Sequence, residues 1–246
     1  MPETPRLPNV TADDIRRAAD FLAPLIIDTP MIQAPSLWGL LGCSLHLKLE
    51  NLQYTSSFKV RGAAVAMAQL TEEQKQRGII TMSAGNHAQA VAFRAREAGL
   101  KATIIMPKQT PFAKVERTRS HGAEIILTGR SVNEGEVTVK AYQAEHGSTL
   151  IHPYNDVHVI SGQGTIGLEM LTAVPDLDVL VVPIGGGGLM SGISIMAKEM
   201  RPDITIIGVQ AELYPTMAQT IRGDKIICGG ETLAEGIAIK SPGTLT

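Results

Sequence analysis

In Val179-Leu180-Val181-Val182-Pro183-Ile184-Gly185-Gly186-Gly187-Gly188-Leu189 an apolar run meets a proline and then four consecutive glycines. The unbroken Val/Leu run predicts a buried parallel strand. Gly185, Gly186, Gly187 and Gly188 adopt positive φ without steric cost and let backbone N–H groups approach an anion. The apolar sequence that follows predicts a helix, whose first turn adds the positive end of its dipole. A flexible turn is the plainer reading, but a tight turn rarely needs four glycines, so a phosphate-holding strand–loop–helix is expected. The uncharged stretch 179–197 is also close to the roughly 20 residues of a membrane span. Pro183 and the glycines break it, so a strand, a turn and a helix explain it better than one helix.

Working outward, the same alternation recurs. Strands are expected at 78–82, 102–106, 123–127 and 204–209. Helices are expected at 58–70, 86–98, 111–121, 132–146, near 165–171 and after Gly188. Gly99, Pro107 and Gly122 supply the stops. Near the start, Thr11 precedes Asp13, Asp14 and an apolar stripe of Ile15, Ala18, Ala19 and Leu22, which predicts a capped amphipathic helix. Residues 44–50 alternate Leu45, Leu47 and Leu49 with His46, Lys48 and Glu50, the period of a half-exposed strand. Residues 1–10 are proline-rich and read as a loose arm. Strands alternating with helices across short turns predict an α/β chain with parallel sheets covered on both faces.

Bulk composition narrows the function classes. With 44% hydrophobic and 19% charged residues, the 246-residue chain is set for a packed core. Its net charge of -2 carries no basic excess, which argues against nucleic acid or an anionic membrane as partner. Cys43 and Cys228 are too few for a disulfide framework, and the six histidines show no metal spacing, so no metal is expected. Met1-Pro2-Glu3-Thr4-Pro5 lacks the basic and apolar regions of a signal peptide, so a cytoplasmic enzyme is expected.

Two further segments give the glycine loop a chemical context. Ser56-Ser57-Phe58-Lys59-Val60-Arg61-Gly62 puts a lysine at a helix start that Ser56 or Ser57 could cap. A lysine alone is usually a solvated charge. Partly buried among small neighbours, it becomes an amine of lowered pKa and a nucleophile. Ser83-Ala84-Gly85-Asn86-His87 lies where a parallel strand hands over to a helix, the edge at which open α/β sheets bind ligands. By itself it would read as an Asn/Ser helix cap. An amine, a phosphate cradle and a polar ring clamp are together what pyridoxal 5'-phosphate needs. Gly162-Gln163-Gly164-Thr165-Ile166-Gly167 matches a dinucleotide fingerprint. No apolar strand leads into it and no acidic residue ends a second strand about 20 residues on, which disfavours a nicotinamide cofactor.

With Lys48-Leu49-Glu50-Asn51-Leu52-Gln53, His152-Pro153-Tyr154 and 162–169, these segments make the chain resemble the fold-type II pyridoxal-phosphate enzymes, and most closely the threonine/serine dehydratases. The resemblance runs nearly end to end. It implies two open, twisted, mostly parallel α/β lobes with the cofactor between them: a large lobe of 1–77 and 155–246, and a small substrate-side lobe of 78–154. It implies that Lys59 joins the cofactor and removes the substrate α-proton, that Phe58 packs beside the cofactor, and that Asn86 bonds the ring 3-hydroxyl. Gly185, Gly186, Gly187 and Gly188, with Leu189 beside them, would hold the phosphate. Ser83, Ala84, Gly85, Asn86 and His87 would receive the carboxylate of a small hydroxy amino acid. The implied reaction is loss of the β-hydroxyl and hydrolysis to a 2-oxo acid and ammonia, in a homodimer or homotetramer.

Two departures bear on that reading. Racemases of this fold have a serine where Ala84 stands, and a methyl group relays no proton. Some relatives bind a cation through an acid after the strand ending at Val209, where this chain has Gln210. Serine racemisation, β-replacement and cofactor binding without turnover are the alternative readings. The 235–243 stretch resembles a turn before further elements, so the sequence is expected to lack a C-terminal part, including the partner of the pyridine nitrogen.

Overall fold

The computed structural model describes residues 9–129 and 132–246. Positions 1–8 of the expected arm lie outside the described residues. The elements run α1 (Ala12–Leu22), β1 (Met31–Gln33), α2 (Pro35–Leu41), β2 (His46–Lys48), α3 (Lys59–Ala68), α4 (Glu72–Arg77), β3 (Ile79–Met82), α5 (Asn86–Glu97) and β4 (Ala102–Met106). They continue α6 (Phe112–Arg119), β5 (Glu124–Leu127), α7 (Val132–His146), β6 (Thr149–Leu150), α8 (Val157–Ala173), β7 (Val179–Pro183), α9 (Gly188–Met200), β8 (Thr205–Val209) and α10 (Thr216–Arg222).

Local chemistry sets most boundaries. Thr11 caps α1 in a reciprocal box with Asp14, and Gly99 follows α5 with φ +67°. The strands divide among three sheets: a parallel sheet ordered β5-β4-β3-β6, a parallel pair β7-β8, and an antiparallel pair β1-β2. Strand alternation distributes the first sheet's side chains. Ile79, Ile104 and Met106 join the cluster with α3 and α5, whereas Ile80 and Ile105 pack with Val139 and Tyr142 of α7. Both faces are therefore covered, as the alternation predicts. Among the described residues, no helix is long and apolar enough to cross a membrane.

Two expectations need correction. The helix expected near 165–171 starts at Val157, where the Asp156 carboxylate accepts hydrogen bonds from the N–H groups of His158 (2.8 Å) and Val159 (2.9 Å). Its glycines serve close packing. A Cβ on Gly162 would stand 2.6 Å from Cα of Gly62 on α3. The fingerprint-like 162–167 segment thus lies wholly inside a helix and forms no phosphate turn. Strand β7 is also less buried than its sequence suggests. Leu180 and Val182 enter a cluster with Ile166, Ile193, Ala197 and Ile204, while Val181 is 61% exposed. A cavity of about 940 Å³ lies beside β7, lined in part by Met31, Leu47, Phe58, Met170, Val181 and Leu189.

The α3–α8 contact leaves no room for a side chain. Gly162→Ala is expected to destabilise the protein by about 2 kcal/mol, the ordinary scale of overpacking. Urea unfolding measures this directly, and an unchanged midpoint would mean that the two helices separate without cost.

Candidate active site

Parallel pairing brings two loops to one sheet edge. Ile79 and Ile80 pair with Thr149 and Leu150, so the turn after β3 and the segment after β6 leave side by side. Ile151 ties them together. Its N–H donates to the Ile80 carbonyl (2.9 Å), and its own carbonyl accepts from Thr81 Oγ1 (2.7 Å) and His87 Nε2 (2.9 Å). The first turn after β3 is closed by Ser83 Oγ, which accepts from the Gly85 N–H (3.2 Å). Ala84 is half-buried against the core, and Gly85 precedes the first residue of α5, Asn86, which is exposed.

Lys59 opens α3. The expected serine cap is only partly present. Ser57 Oγ accepts from the Lys59 N–H at 3.3 Å, but the N-cap position belongs to Phe58, without a side-chain capping bond. Ser56 does not cap. It and Thr55 have φ of 54° and 57°, a left-handed conformation that costs non-glycine residues about 1 kcal/mol or more each. Lys59 Nζ donates to the Pro153 carbonyl at 2.7 Å and lies 5.3 Å from the centre of the Phe58 ring. The residue as a whole is half-buried, yet desolvation of its amine pushes the pKa down to about 8.

Neighbouring imidazoles stay neutral for related reasons. Burial and the nearby Lys59 charge hold His87 down to about 3. Burial holds His152 at about 4 despite Asp156, with Lys59 adding to the effect. The His152 Nδ1 acceptor takes the N–H groups of Asn155 (2.9 Å) and Tyr154 (3.3 Å), fixing the turn that presents Pro153.

The glycine loop reaches the same turn. A Cβ on Gly186 would overlap the Tyr154 ring, and one on Gly188 would stand 2.9 Å from the Tyr154 carbonyl. Gly187 has φ +99° at the cap of α9. Among the described residues, no group accepts a backbone hydrogen bond from the N–H of Gly185, Gly186 or Gly187. The Gly186 carbonyl is bonded by the Gly243 N–H (3.2 Å) and Thr246 Oγ1 (2.7 Å), and Tyr154 Oη donates to the Ser241 carbonyl (3.0 Å). Leu189 and Phe58 pack against one apolar cluster behind the loop.

The structure therefore joins Lys59, His87 and the loop at Gly186 and Gly188 through residues 151–154. No hydrogen bond links Asn86 to them among the described residues. Sequence reading gave Ile151, His152, Pro153 and Tyr154 no role. Their signal was position: a His-Pro-Tyr turn at the carboxyl edge of a parallel strand. A buried amine of lowered pKa and a loop of free N–H groups that excludes side chains fit an aldehyde cofactor with a phosphate.

The family model of pyridoxal-phosphate dependent enzymes matches residues 22–246. The chain belongs to that family. Its fold is the α/β fold-type II, and its cofactor is pyridoxal phosphate. The L-threonine ammonia-lyase of Thermotoga maritima is 45% identical over 96% of this chain, which spans 60% of that relative's length. Maize serine racemase superposes with a TM-score of 0.90 at 38% identity, covering 94% of this chain and 70% of that one. Threonine deaminase isoform 2 from Solanum lycopersicum gives 0.87 at 32% identity, covering 100% and 72%.

The site of this pyridoxal-phosphate family member should be acid-labile. The unfolded chain protonates its histidines near 6.5, whereas folded His87 and His152 resist protonation down to about 3 and 4. Stability is then lost as pH falls below about 6.5, by roughly 2 kcal/mol per histidine at pH 5 relative to pH 7. Urea melts at both pH values should show a smaller loss for His87→Gln than for the parent. Equal losses would mean that His87 titrates normally.

Proposed function

We propose that the chain is the catalytic part of an ammonia-lyase that converts L-threonine, L-serine or a related small hydroxy amino acid to a 2-oxo acid and ammonia. The observation that carries the reading is the Lys59 amine, desolvated and held by the Pro153 carbonyl one residue from the ring that covers the glycine loop. The 45% identity to an L-threonine ammonia-lyase supports the choice of reaction.

Pyridoxal phosphate, when bound, supplies an electron sink for negative charge at the substrate α-carbon. The protein does the rest. The N–H groups of Gly185, Gly186 and Gly187, with the first turn of α9, bind the phosphate. Lys59 would hold the aldehyde of the cofactor, and its Nζ would take the substrate α-proton. A pKa near 8 leaves a useful neutral fraction of that amine at physiological pH. Backbone groups of 83–87 at the start of α5 would orient the carboxylate, and exposed Asn86 would bond the ring hydroxyl. His87 and His152, being neutral, add no competing cation beside the amine. Phe58 and Leu189 supply apolar walls.

Two lobes, 78–154 against 1–77 with 155–246, would close this cleft on substrate. The separation of the β5-β4-β3-β6 sheet from β7-β8 supports that division. We further read the protein as a cytoplasmic homo-oligomer, which sedimentation would test.

Lys59→Ala should abolish both borohydride-trapped cofactor on the protein and 2-oxo acid formation from threonine and serine. Trapping on the variant would assign the role to another lysine. Gly187→Asp places a carboxylate where the phosphate must sit, and its Cβ would also stand 2.6 Å from Met217 Cε. Cofactor affinity should fall at least tenfold, about 1.4 kcal/mol. Racemisation is the second reading, favoured by the likeness to maize serine racemase. It requires a proton on the carbanion face opposite Lys59, which Ala84 cannot deliver. L-serine should therefore give pyruvate with little D-serine, and Ala84→Ser should raise the D-serine fraction at matched turnover. Equal fractions would show that Ala84 does not decide the outcome.

A further inference from the structure

Two residues past Lys59, the Arg61 side chain is fully buried. Its Nε and Nη2 donate to Glu50 (2.9 and 2.7 Å), Nη2 to Glu169 Oε2 (2.9 Å), and Nη1 to Thr165 Oγ1 (3.0 Å) and to Glu169 Oε1. Glu169 also takes Lys48 Nζ at 2.6 Å, and Lys48 donates to the Thr29 carbonyl at 2.6 Å. The cluster is balanced, with Arg61 and Lys48 against Glu50 and Glu169. It joins β2 and the turn after it, the first turn of α3, and α8.

Stability alone is a poor reason for such a cluster. Desolvating four charges offsets most of their attraction, and apolar side chains of equal volume often do as well. Its position offers a better one. Where α3 crosses α8, the backbones of Gly62 and Gly162 touch directly, with the buried Gln163 side chain packed beside Gly62. That contact is a pivot, and the Gln163 amide beside it makes no hydrogen bond among the described residues that would lock its rotation. The Arg61 fork lies one residue from the pivot and grips Thr165 and Glu169, one turn apart on α8. Planar bidentate bonding fixes an angle as well as a distance. On the other side, the chain enters α3 through the left-handed pair Thr55 and Ser56, a conformation that persists only where its surroundings over-determine it.

We propose that Arg61, with Glu50 and Glu169, is a positioning device that sets the rotation of α3 and thereby holds the Lys59 amine against the Pro153 carbonyl. Arg61 acts through Lys59 and touches no reacting atom. The role rests on Lys59 being the aldehyde-binding amine. If α3 rolls about its glycine pivot, Nζ leaves its desolvated seat and regains the protonation of an ordinary lysine. Less of it is then neutral at pH 7.5 to attack an aldehyde.

The test uses cofactor-free protein and pyridoxal without its phosphate, so the glycine loop plays no part. Pyridoxal capture at Lys59 is trapped with borohydride and read by peptide mass spectrometry across pH. Arg61→Lys keeps the charge and loses the fork. The pair Arg61→Met with Glu169→Gln keeps the charge balance and removes the grip on α8. Both are expected to fold, by near-ultraviolet circular dichroism. Both should capture pyridoxal at Lys59 at least tenfold more slowly at pH 7.5, with the pH midpoint of capture moved upward. In the loaded enzyme kcat should fall with KM little changed. A folded variant with the parent's capture rate and midpoint would overturn the proposal. So would failure of Arg61→Lys to fold, since the cluster would then be needed for folding itself. If the parent captures pyridoxal at Lys59 but forms no 2-oxo acid, the proposed reaction fails and the positioning role stands.

Discussion

The segment Ile151-His152-Pro153-Tyr154 is the constraint on which the site depends. Ile151 closes the edge of a parallel sheet and holds His87, Pro153 receives the Lys59 amine, and Tyr154 fills the space above Gly186 and Gly188. Three segments far apart in the chain are thus set against one short turn. The turn is itself fixed by His152 Nδ1, which can accept two backbone N–H groups only while the imidazole is neutral. Electrostatics and geometry are coupled here, because the burial that keeps His152 neutral also desolvates Lys59.

Two cations in the first turn of α3 illustrate opposite treatments of charge. Lys59 has neutral neighbours, a carbonyl, an aromatic ring and two unprotonated histidines, so burial works against its charged form. Burial also opposes the charge of Arg61, but Glu50 and Glu169 outweigh it and raise its pKa. Glu169 in turn is kept ionised, because Arg61 and Lys48 overcome the cost of its burial. One turn of helix therefore supplies an eased amine and a permanent guanidinium, the first suited to chemistry and the second to fixing an angle.

Glycine has two distinct uses in this chain. At Gly162 it removes a side chain so that two helices can touch. At Gly187 it allows a positive φ and leaves the N–H groups of the loop open. Both sets of glycines are dense in sequence, and density alone does not separate them. What separates them is the preceding residues. Val179–Pro183 leads the loop out of a strand, whereas Asp156 caps a helix that is already under way by Gly162.

The sequence by itself determined the strand–helix alternation and most of its longer elements, because local periodicity and turn chemistry act over a few residues; the short elements β1, α2, α4, β6 and α10 escaped it. Lys59 also stood out as a candidate, since few residue types offer a nucleophilic amine near a glycine loop. Only the tertiary structure decided that Ser56 strains the chain instead of capping the helix, that α8 begins at Val157, and that β7 leaves Val181 exposed. It alone gave Pro153 and Tyr154 their places and drew Glu50 and Glu169 onto Arg61 across 11 and 108 residues of chain. Long-range contacts of this kind leave no periodic trace, because they depend on how helices cross and which sheet edges meet.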